Sequence, residues 1–230
     1  AAMAQPTVAL VNNAQREHLE FMHTVQAVAR ENGSVIASLP VDGVAVVPAD
    51  DEFTSLWQDL AAPRRCVRFA MSGGTSQDEL RCIEAHWKHG GWQVRAQGMG
   101  VHLHYRLSIA GRHNVKNSLA AAACALAAGV SASAVEQGLQ AFQPVKGRSR
   151  ALEIAVQGRE RTLVDDTYNA NPDSVRAAID VLADLPGPRI LVLGDMGEVG
   201  HEGPAFHAEA GRYALAKGID QLLAHGNLVR

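Results

Sequence analysis

The sequence predicts an α/β fold: a parallel sheet with covering helices, then an antiparallel meander with helices, then a second strand–helix–strand unit. Three observations carry this. Short β-rich runs without alternation occur at residues 7–12, 43–48 and 189–193, as in strands covered on both faces. Apolar residues at helical spacing separate them, and glycine-rich breaks divide a middle stretch of strands. The 230 residues suffice for one large domain or two small ones, and 47% hydrophobic with 20% charged residues is a globular balance. A formal charge of −3 offers no basic field for nucleic acid or an anionic membrane. No apolar stretch approaches the length of a membrane span, and residue 1 is not followed by a signal-peptide pattern. Cys66, Cys82 and Cys124 are odd in number and form no CxxC pair, which speaks against a disulfide framework and fits a reducing, cytoplasmic setting.

Element by element, residues 7–12 (TVALVN) read as a buried strand. Residues 18–32 read as one helix carrying Leu19, Met22, Val25, Val28 and Ala29, with Gly33 as its stop. Residues 43–48 (GVAVVP) read as a second strand, and Asp50 and Asp51 open a short helix bearing Phe53, Leu56 and Trp57. Residues 80–87, 92–97 and 101–109 form the meander, broken at His89-Gly90-Gly91 and Gly98-Met99-Gly100. An alanine-rich helix spans 115–128 and ends at Gly129; the next begins at Ser133, with Glu136 at capping-box spacing. The pattern resets at residues 144–148 (PVKGR), a linker that divides the chain into domains 1–147 and 148–230. Beyond it come a hairpin (152–157 and 161–165), a helix begun by Pro172 with Asn171 as N-cap, a buried strand 189–193, a helix 205–217 and a strand 220–224, together a second βαβαβ unit.

Several polar groupings sit where α/β proteins place ligands. His18 follows the first strand with Asn12, Asn13, Arg16, Glu17 and Glu20; it is either a metal ligand or part of a solvated helix start. Asn114 and Asn117 share a helix face, and their carboxamides suit an adenine edge, although Asn114 equally suits a helix cap. Residues 165–174 (DDTYNANPDS) join a strand end to a helix start. Their carboxylates suit ribose hydroxyls and their amides a peptide or carboxylate, against the alternative of an Asx-turn and a capped helix. Residues 193–200 (LGDMGEVG) read as a glycine-rich ligand approach or a structural loop. His102 and His104 read as a surface pair. No Gly-Lys dipeptide occurs, so the residues present contain no GxxxxGK[ST] phosphate cradle.

The segments 12–22 (NNAQREHLEFM), 111–121 (GRHNVKNSLAA), 165–174 and 193–200, with the VKGR linker, together resemble the Mur ligase family over nearly the whole chain. The resemblance implies the later part of a central ATPase domain followed by the first half of a Rossmann-like C-terminal domain. It implies an ATP- and Mg²⁺-dependent amide ligase working through an acyl phosphate, and the 165–174 and 193–200 runs are similar to those of the branch that joins D-alanyl-D-alanine to UDP-N-acetylmuramoyl-tripeptide in peptidoglycan precursor synthesis. By position, His18 matches the magnesium-site histidine and is, with Arg148, a catalytic candidate. Asn114, Asn117, Arg148 and Asp166 match nucleotide contacts; Tyr168, Asn169 and Asn171 lie where the amine substrate binds. Asn32 stands where many members carry a carbamylated lysine. The resemblance further implies that a UDP-sugar domain, the phosphate loop and a magnesium-binding Glu precede residue 1 and that the C-terminal domain continues past Arg230. The chain is then an internal piece, inactive alone and part of a monomer with no nucleic-acid partner or membrane span. A sibling or folylpolyglutamate-synthase-like ligase, or a non-catalytic nucleotide-binding module, remains an alternative.

Overall fold

The computed structural model describes residues 3–73, 76–88 and 90–227. In chain order the first elements are β1 (Val8–Leu10), α1 (Leu19–Met22), α2 (Val25–Ala37), β2 (Val44–Pro48), α3 (Thr54–Ala61), β3 (Arg65–Ala70), β4 (Glu79–Lys88), β5 (Gly91–Gly98), β6 (Val101–Leu107), α4 (Arg112–Ala127) and α5 (Ala132–Ala141). There follow β7 (Arg150–Val156), β8 (Arg159–Asp165), α6 (Pro172–Ala183), β9 (Ile190–Gly194), a 3₁₀ turn (Gly200–Glu202), α7 (Gly203–Ala216) and β10 (Gln221–His225). The chain divides into two units. One holds Ala1–Ala14, Gln26–Ser108 and His113–Gln143; the other holds Gln15–Val25, Ile109–Arg112 and Pro144–Arg230.

In the first unit six strands lie in the order β1-β2-β3-β4-β5-β6. Pairing is parallel from β1 to β4 and antiparallel from β4 to β6, so the meander extends the parallel sheet along one edge. Every residue of β2 is buried, as its unbroken apolar run predicts. Ala45 and Val47 join Ile36, Trp57 and Ala61 in a core beneath α2 and α3.

The expected helix 18–32 is instead two helices, because the backbone turns left-handed at His23 (φ 64°). Gly33 is no stop: α2 runs through it to Ala37. A Cβ at Gly33 would stand 2.7 Å from Leu60 Cδ1 and 2.9 Å from Trp57 Cδ1, so the glycine is there to admit α3. Trp57, fully buried, donates its indole N–H to the Ala29 carbonyl at 2.8 Å across the same contact. The sequence reading missed β3. Arg65 and Arg68 interrupt its apolar pattern, yet Val67 and Phe69 are fully buried in mid-sheet, while the arginines pair with Asp78 and Glu79.

His89, part of one expected break, lies outside the described residues. The helix expected from Val115 starts earlier, at Arg112, so Asn114 sits inside α4 rather than capping it. The α5 cap is Ser131, not Ser133, and Glu136 accepts the His104 backbone N–H at 2.6 Å instead of closing a capping box.

In the second unit β7 and β8 form a separate antiparallel hairpin, and β9 pairs in parallel with β10 around α7. Among the described residues β8 does not join that sheet, so one βαβ unit and a hairpin replace the expected βαβαβ. Val175, Ile179, Leu193, Met196, Ala210, Ala214 and Ile219 make the core. The expected burial of β9 fails on one face: Leu193 is buried, but Val192 is 68% exposed. Asn171 caps α6 as expected, accepting from the Asp173 and Ser174 amides at 3.1 and 2.8 Å, with Ser174 closing a capping box.

Candidate functional site

The second unit gathers four loops. The first is the turn before β7. Gly147 (φ 78°) and Ser149 (φ 47°) are left-handed, and two carboxylates hold them there. The Gly147 amide donates to Asp165 Oδ2 at 3.1 Å; the Ser149 amide and hydroxyl donate to Asp166 Oδ1 at 2.9 and 3.3 Å. Thr167 donates its hydroxyl to Asp165 Oδ1 at 2.7 Å and, with the Gly147 amide, holds that carboxyl below its ordinary pKa. Tied in this way, the turn lays the Arg148 guanidinium 3.8 Å above the ring centroid of Tyr168, which is 68% exposed. The Tyr168 amide returns to the Gly147 carbonyl at 3.1 Å. Four of the expected site residues (Arg148, Asp166, Tyr168, Asn169) therefore lie on this loop pair. Asn169 caps its own turn through Ala170 N–H at 2.9 Å, and the Asn171 side-chain oxygen is occupied by the helix cap.

His18 lies in the same unit, on the strap of residues 15–25. Its backbone is left-handed (φ 52°) and its side chain does not cap α1. Nδ1 meets the carboxylate of Glu198, itself left-handed (φ 56°) on the 193–200 loop, and the Glu20 amide donates to the Glu198 carbonyl at 3.4 Å. Two non-glycine residues held left-handed cost about 1–2 kcal/mol each, a strain that persists only where neighbours impose it.

The 193–200 loop is pinned from beneath by His207, which sequence reasoning missed. Buried at 5% exposure, it accepts the Met196 amide at Nε2 (3.0 Å) and donates from Nδ1 to the Gly203 carbonyl (2.7 Å), so its proton is on Nδ1. Only its i, i+4 relation to Gly203 in α7 would have hinted at this.

As a magnesium position His18 fits in part. Its Nε2 is not the atom engaged by Glu198, and the ring is half exposed. Among the described residues no group of three or more His, Cys, Asp or Glu side chains is arranged to hold a metal. A cation here would draw its other ligands from phosphate and water, as Mg²⁺ commonly does.

Arg16 joins the strap to α6 and α7. Its backbone amide donates to Asp173 Oδ2 at 2.9 Å, its Nε and Nη2 to Asp173 Oδ1 at 3.0 and 2.6 Å, and its Nη1 and Nη2 to Glu209 at 2.8 and 3.1 Å. Arg176 adds a 3.2 Å contact to Glu209. Hydrogen bonding by Glu209 and then Asp173 raises the Arg16 pKa further above its ordinary value. Burial works to raise the Asp173 pKa, but the Arg16 side chain, amide and charge together outweigh it and the net shift is downward. For Glu209 the Arg16 hydrogen bonds dominate and also lower it. Carboxyls depressed on folding stabilise above their unfolded pKa values, near pH 4, and that stabilisation is lost as pH falls through the folded ones. Urea midpoints should therefore fall between about pH 5 and pH 3, and Arg16→Gln should flatten part of that fall. An unchanged acid profile in the variant would contradict the ion-pair assignment.

In the first unit three carboxamides form a chain. Asn12 Nδ2 donates to Asn117 Oδ1 at 2.9 Å, and Asn117 Nδ2 to Asn114 Oδ1 at 3.0 Å. The i, i+3 spacing places the second pair on one helix face, as expected; the first bond joins residues 105 apart in sequence and had no local signal. Lys116 pairs with Asp50 at 2.6 Å beside them. Asn32 donates to the Asn13 carbonyl at 3.1 Å and so is tied to the loop after β1. His102 and His104 are exposed on β6.

A family model described as Mur ligase middle domain matches residues 1–125, and one described as Mur ligase, glutamate ligase domain matches residues 147–230. The UDP-N-acetylmuramoyl-tripeptide–D-alanyl-D-alanine ligase of Escherichia coli strain K12 is 36% identical over 225 residues, 98% of this chain and 49% of that protein. A crystal structure of MurF from Acinetobacter baumannii superposes with a TM-score of 0.90 at 31% identity, covering 99% of this chain and 48% of its own. MurF from Thermotoga maritima in complex with ADP gives 0.80 at 24% identity over 96% and 49%, a likeness of fold. The chain spans about half the length of the curated relatives it matches. With both halves matched and the motif-bearing loops assembled as described, the chain belongs to the Mur ligase family.

Proposed function

We propose that the protein is an ATP-dependent amide ligase of peptidoglycan precursor synthesis that joins D-alanyl-D-alanine to UDP-N-acetylmuramoyl-tripeptide, with Mg²⁺, in the cytoplasm and as a monomer. The observation that carries this reading is the pair of loops in which Asp165 and Asp166 set Arg148 over Tyr168. It is supported by the family and by relatives of that name. No helix among the described residues is long and apolar enough to cross a membrane.

In the reaction a carboxylate oxygen of the tripeptide attacks the γ-phosphorus of ATP, and ADP leaves. The dipeptide amine then attacks the acyl carbon of the acyl phosphate; the tetrahedral intermediate expels phosphate and the nitrogen loses a proton. Negative charge concentrates on phosphoryl and carbonyl oxygens in both steps, so positioned positive charge is the main catalytic requirement. Arg148 is assigned to the phosphates, its guanidinium pre-oriented by stacking on Tyr168. Asn114 and Asn117 are assigned to adenine and Asp166 to ribose. Tyr168, Asn169 and Asn171 are assigned to the dipeptide, with the Asn171 oxygen already spent on the cap. His18 would offer Nε2 to Mg²⁺, which when bound supplies charge neutralisation at the phosphates.

In the intact protein, phosphate release from ATP should require both tripeptide precursor and D-alanyl-D-alanine. Release with either alone, or equal release with another amino acid in place of the dipeptide, would overturn the assignment, the latter in favour of a sibling ligase.

A further inference from the structure

Arg16 belongs to none of the assigned contacts, yet its side chain makes four hydrogen bonds to carboxylates. Each of its three guanidinium nitrogens donates to a carboxylate, and its own backbone amide binds the second oxygen of Asp173. With Arg176 the group balances, two cations against two anions, and Phe206 lies 5.4 Å beneath the Arg16 guanidinium. Such an arrangement is a poor source of net stability, because partly buried ion pairs repay little more than their desolvation and apolar side chains of similar volume commonly do as well. What it supplies is direction. A planar fork filled on two edges by carboxylates from different helices fixes three segments at once.

Those segments are the ones the site is built from. Asp173 is the second residue of α6, two beyond the Asn171 cap, so it marks where the 165–171 loop ends. Glu209 is on α7, the helix whose His207 pins the loop that presents Glu198. Arg16 itself lies two residues before His18, whose left-handed backbone needs restraint from both sides. Downstream, the restraint is the Glu20 amide on the Glu198 carbonyl; upstream, it is Arg16.

We propose that Arg16 is a positioning residue, which sets His18 on its strap and the start of α6 in one register so that the phosphate-facing and amine-facing groups are presented together. The activity readout of this inference rests on the ligase reading; its structural readout does not. Lysine cannot replace the fork, since one ammonium cannot serve both edges of the two carboxylates in the plane that Arg16 occupies.

The test uses the intact protein and three variants. Arg16→Gln should raise the KM for D-alanyl-D-alanine about tenfold and that for MgATP at least about threefold, since both the start of α6 and the His18 strap lose their restraint, and Arg16→Lys should fall between it and wild type. Arg176→Gln, which breaks the same network at Glu209 while leaving the Arg16–Asp173 hydrogen bonds in place, should leave both KM values within about twofold. A merely structural role would reduce the active fraction and shift neither KM. Amide hydrogen exchange supplies the second readout: residues 19–22, 170, 171, 173 and 174 should exchange at least about tenfold faster in Arg16→Gln, less so in Arg16→Lys, and no faster in Arg176→Gln. Unchanged KM values and unchanged exchange, or equal effects from Arg176→Gln, would overturn the proposal. Should wild type release no phosphate with both substrates, the ligase reading fails, and the exchange comparison still decides the role of Arg16.

Discussion

Replacing Gly98 by alanine should cost about 3–5 kcal/mol of stability, an effect of the size seen only where a named steric or polar defect is created. Gly98 ends β5 opposite Leu80 with φ at 145°, outside the range that L side chains readily adopt. The methyl group would stand 1.7 Å from the Glu79 carbonyl oxygen and 2.7 Å from its carbon. Backbone cannot rotate away as a side chain can, so β4 and β5 must part at the point where the meander joins the parallel sheet. Leu80, fully buried in that register, loses its packing as they do. Gly100, two residues on, provides the control. It is also left-handed (φ 77°), but no atom lies within 4 Å of its would-be Cβ, so alanine there should cost only the backbone preference, about 1–2 kcal/mol. Urea denaturation of both variants separates the two. Equal losses would mean that the collision is relieved by a small shift and that the conformational term alone matters.

That contrast also explains which parts of the fold were legible beforehand. Elements whose information is local were read nearly as they form. Asn171-Pro172 announces a cap and a first turn, and Gly98-Met99-Gly100 announces a hairpin, because the residues that cause those features are the residues that display them. Elements decided by distant partners were not. Nothing near Arg65 says that Asp78 and Glu79 will neutralise its strand, so β3 went unread although it is central. Gly33 looked like a stop because the tryptophan it makes room for is 24 residues away, in α3. The apparent helix 18–32 carried the right spacing throughout; what breaks it is a strap fastened at Arg16 and at Glu198, both beyond the reach of periodicity.

The site divides along the same line. Arg148, Asp166, Tyr168 and Asn169 were identified by motif and lie on one pair of loops. The contacts that fasten the other segments were invisible: within the first unit Asn12 on Asn117, and within the second His207 under Met196 and Arg16 across two carboxylates, are contacts over 105, 11 and more than 150 residues. Side chains proposed to meet a ligand leave a mark in the local pattern because their chemistry is unusual for a turn. Those that hold them in place are ordinary core or surface residues until the chain has folded.

Asp166 joins both categories, and its substitution should have the largest effect on function. In the intact protein Asp166→Ala should raise the KM for ATP at least about tenfold and lower kcat as well, two effects with different origins. The KM effect follows from the ribose assignment. The kcat effect follows from geometry: Oδ1 holds the Ser149 amide and hydroxyl, Ser149 is buried in a left-handed conformation, and Arg148 precedes it. Without the carboxylate the turn loses the bonds that oppose its strain, and the Arg148 guanidinium is released from its place above Tyr168. Asp166→Asn separates these contributions, because an amide oxygen at Oδ1 still accepts from Ser149 while the second, charged oxygen is gone. That variant should retain kcat within about threefold and show the KM change alone. An unaltered KM for ATP in the alanine variant would remove Asp166 from the nucleotide and leave it as the post around which the Arg148 turn is wound. A kcat loss in the asparagine variant as deep as in alanine would mean instead that the negative charge, rather than the turn it ties, is what the reaction uses.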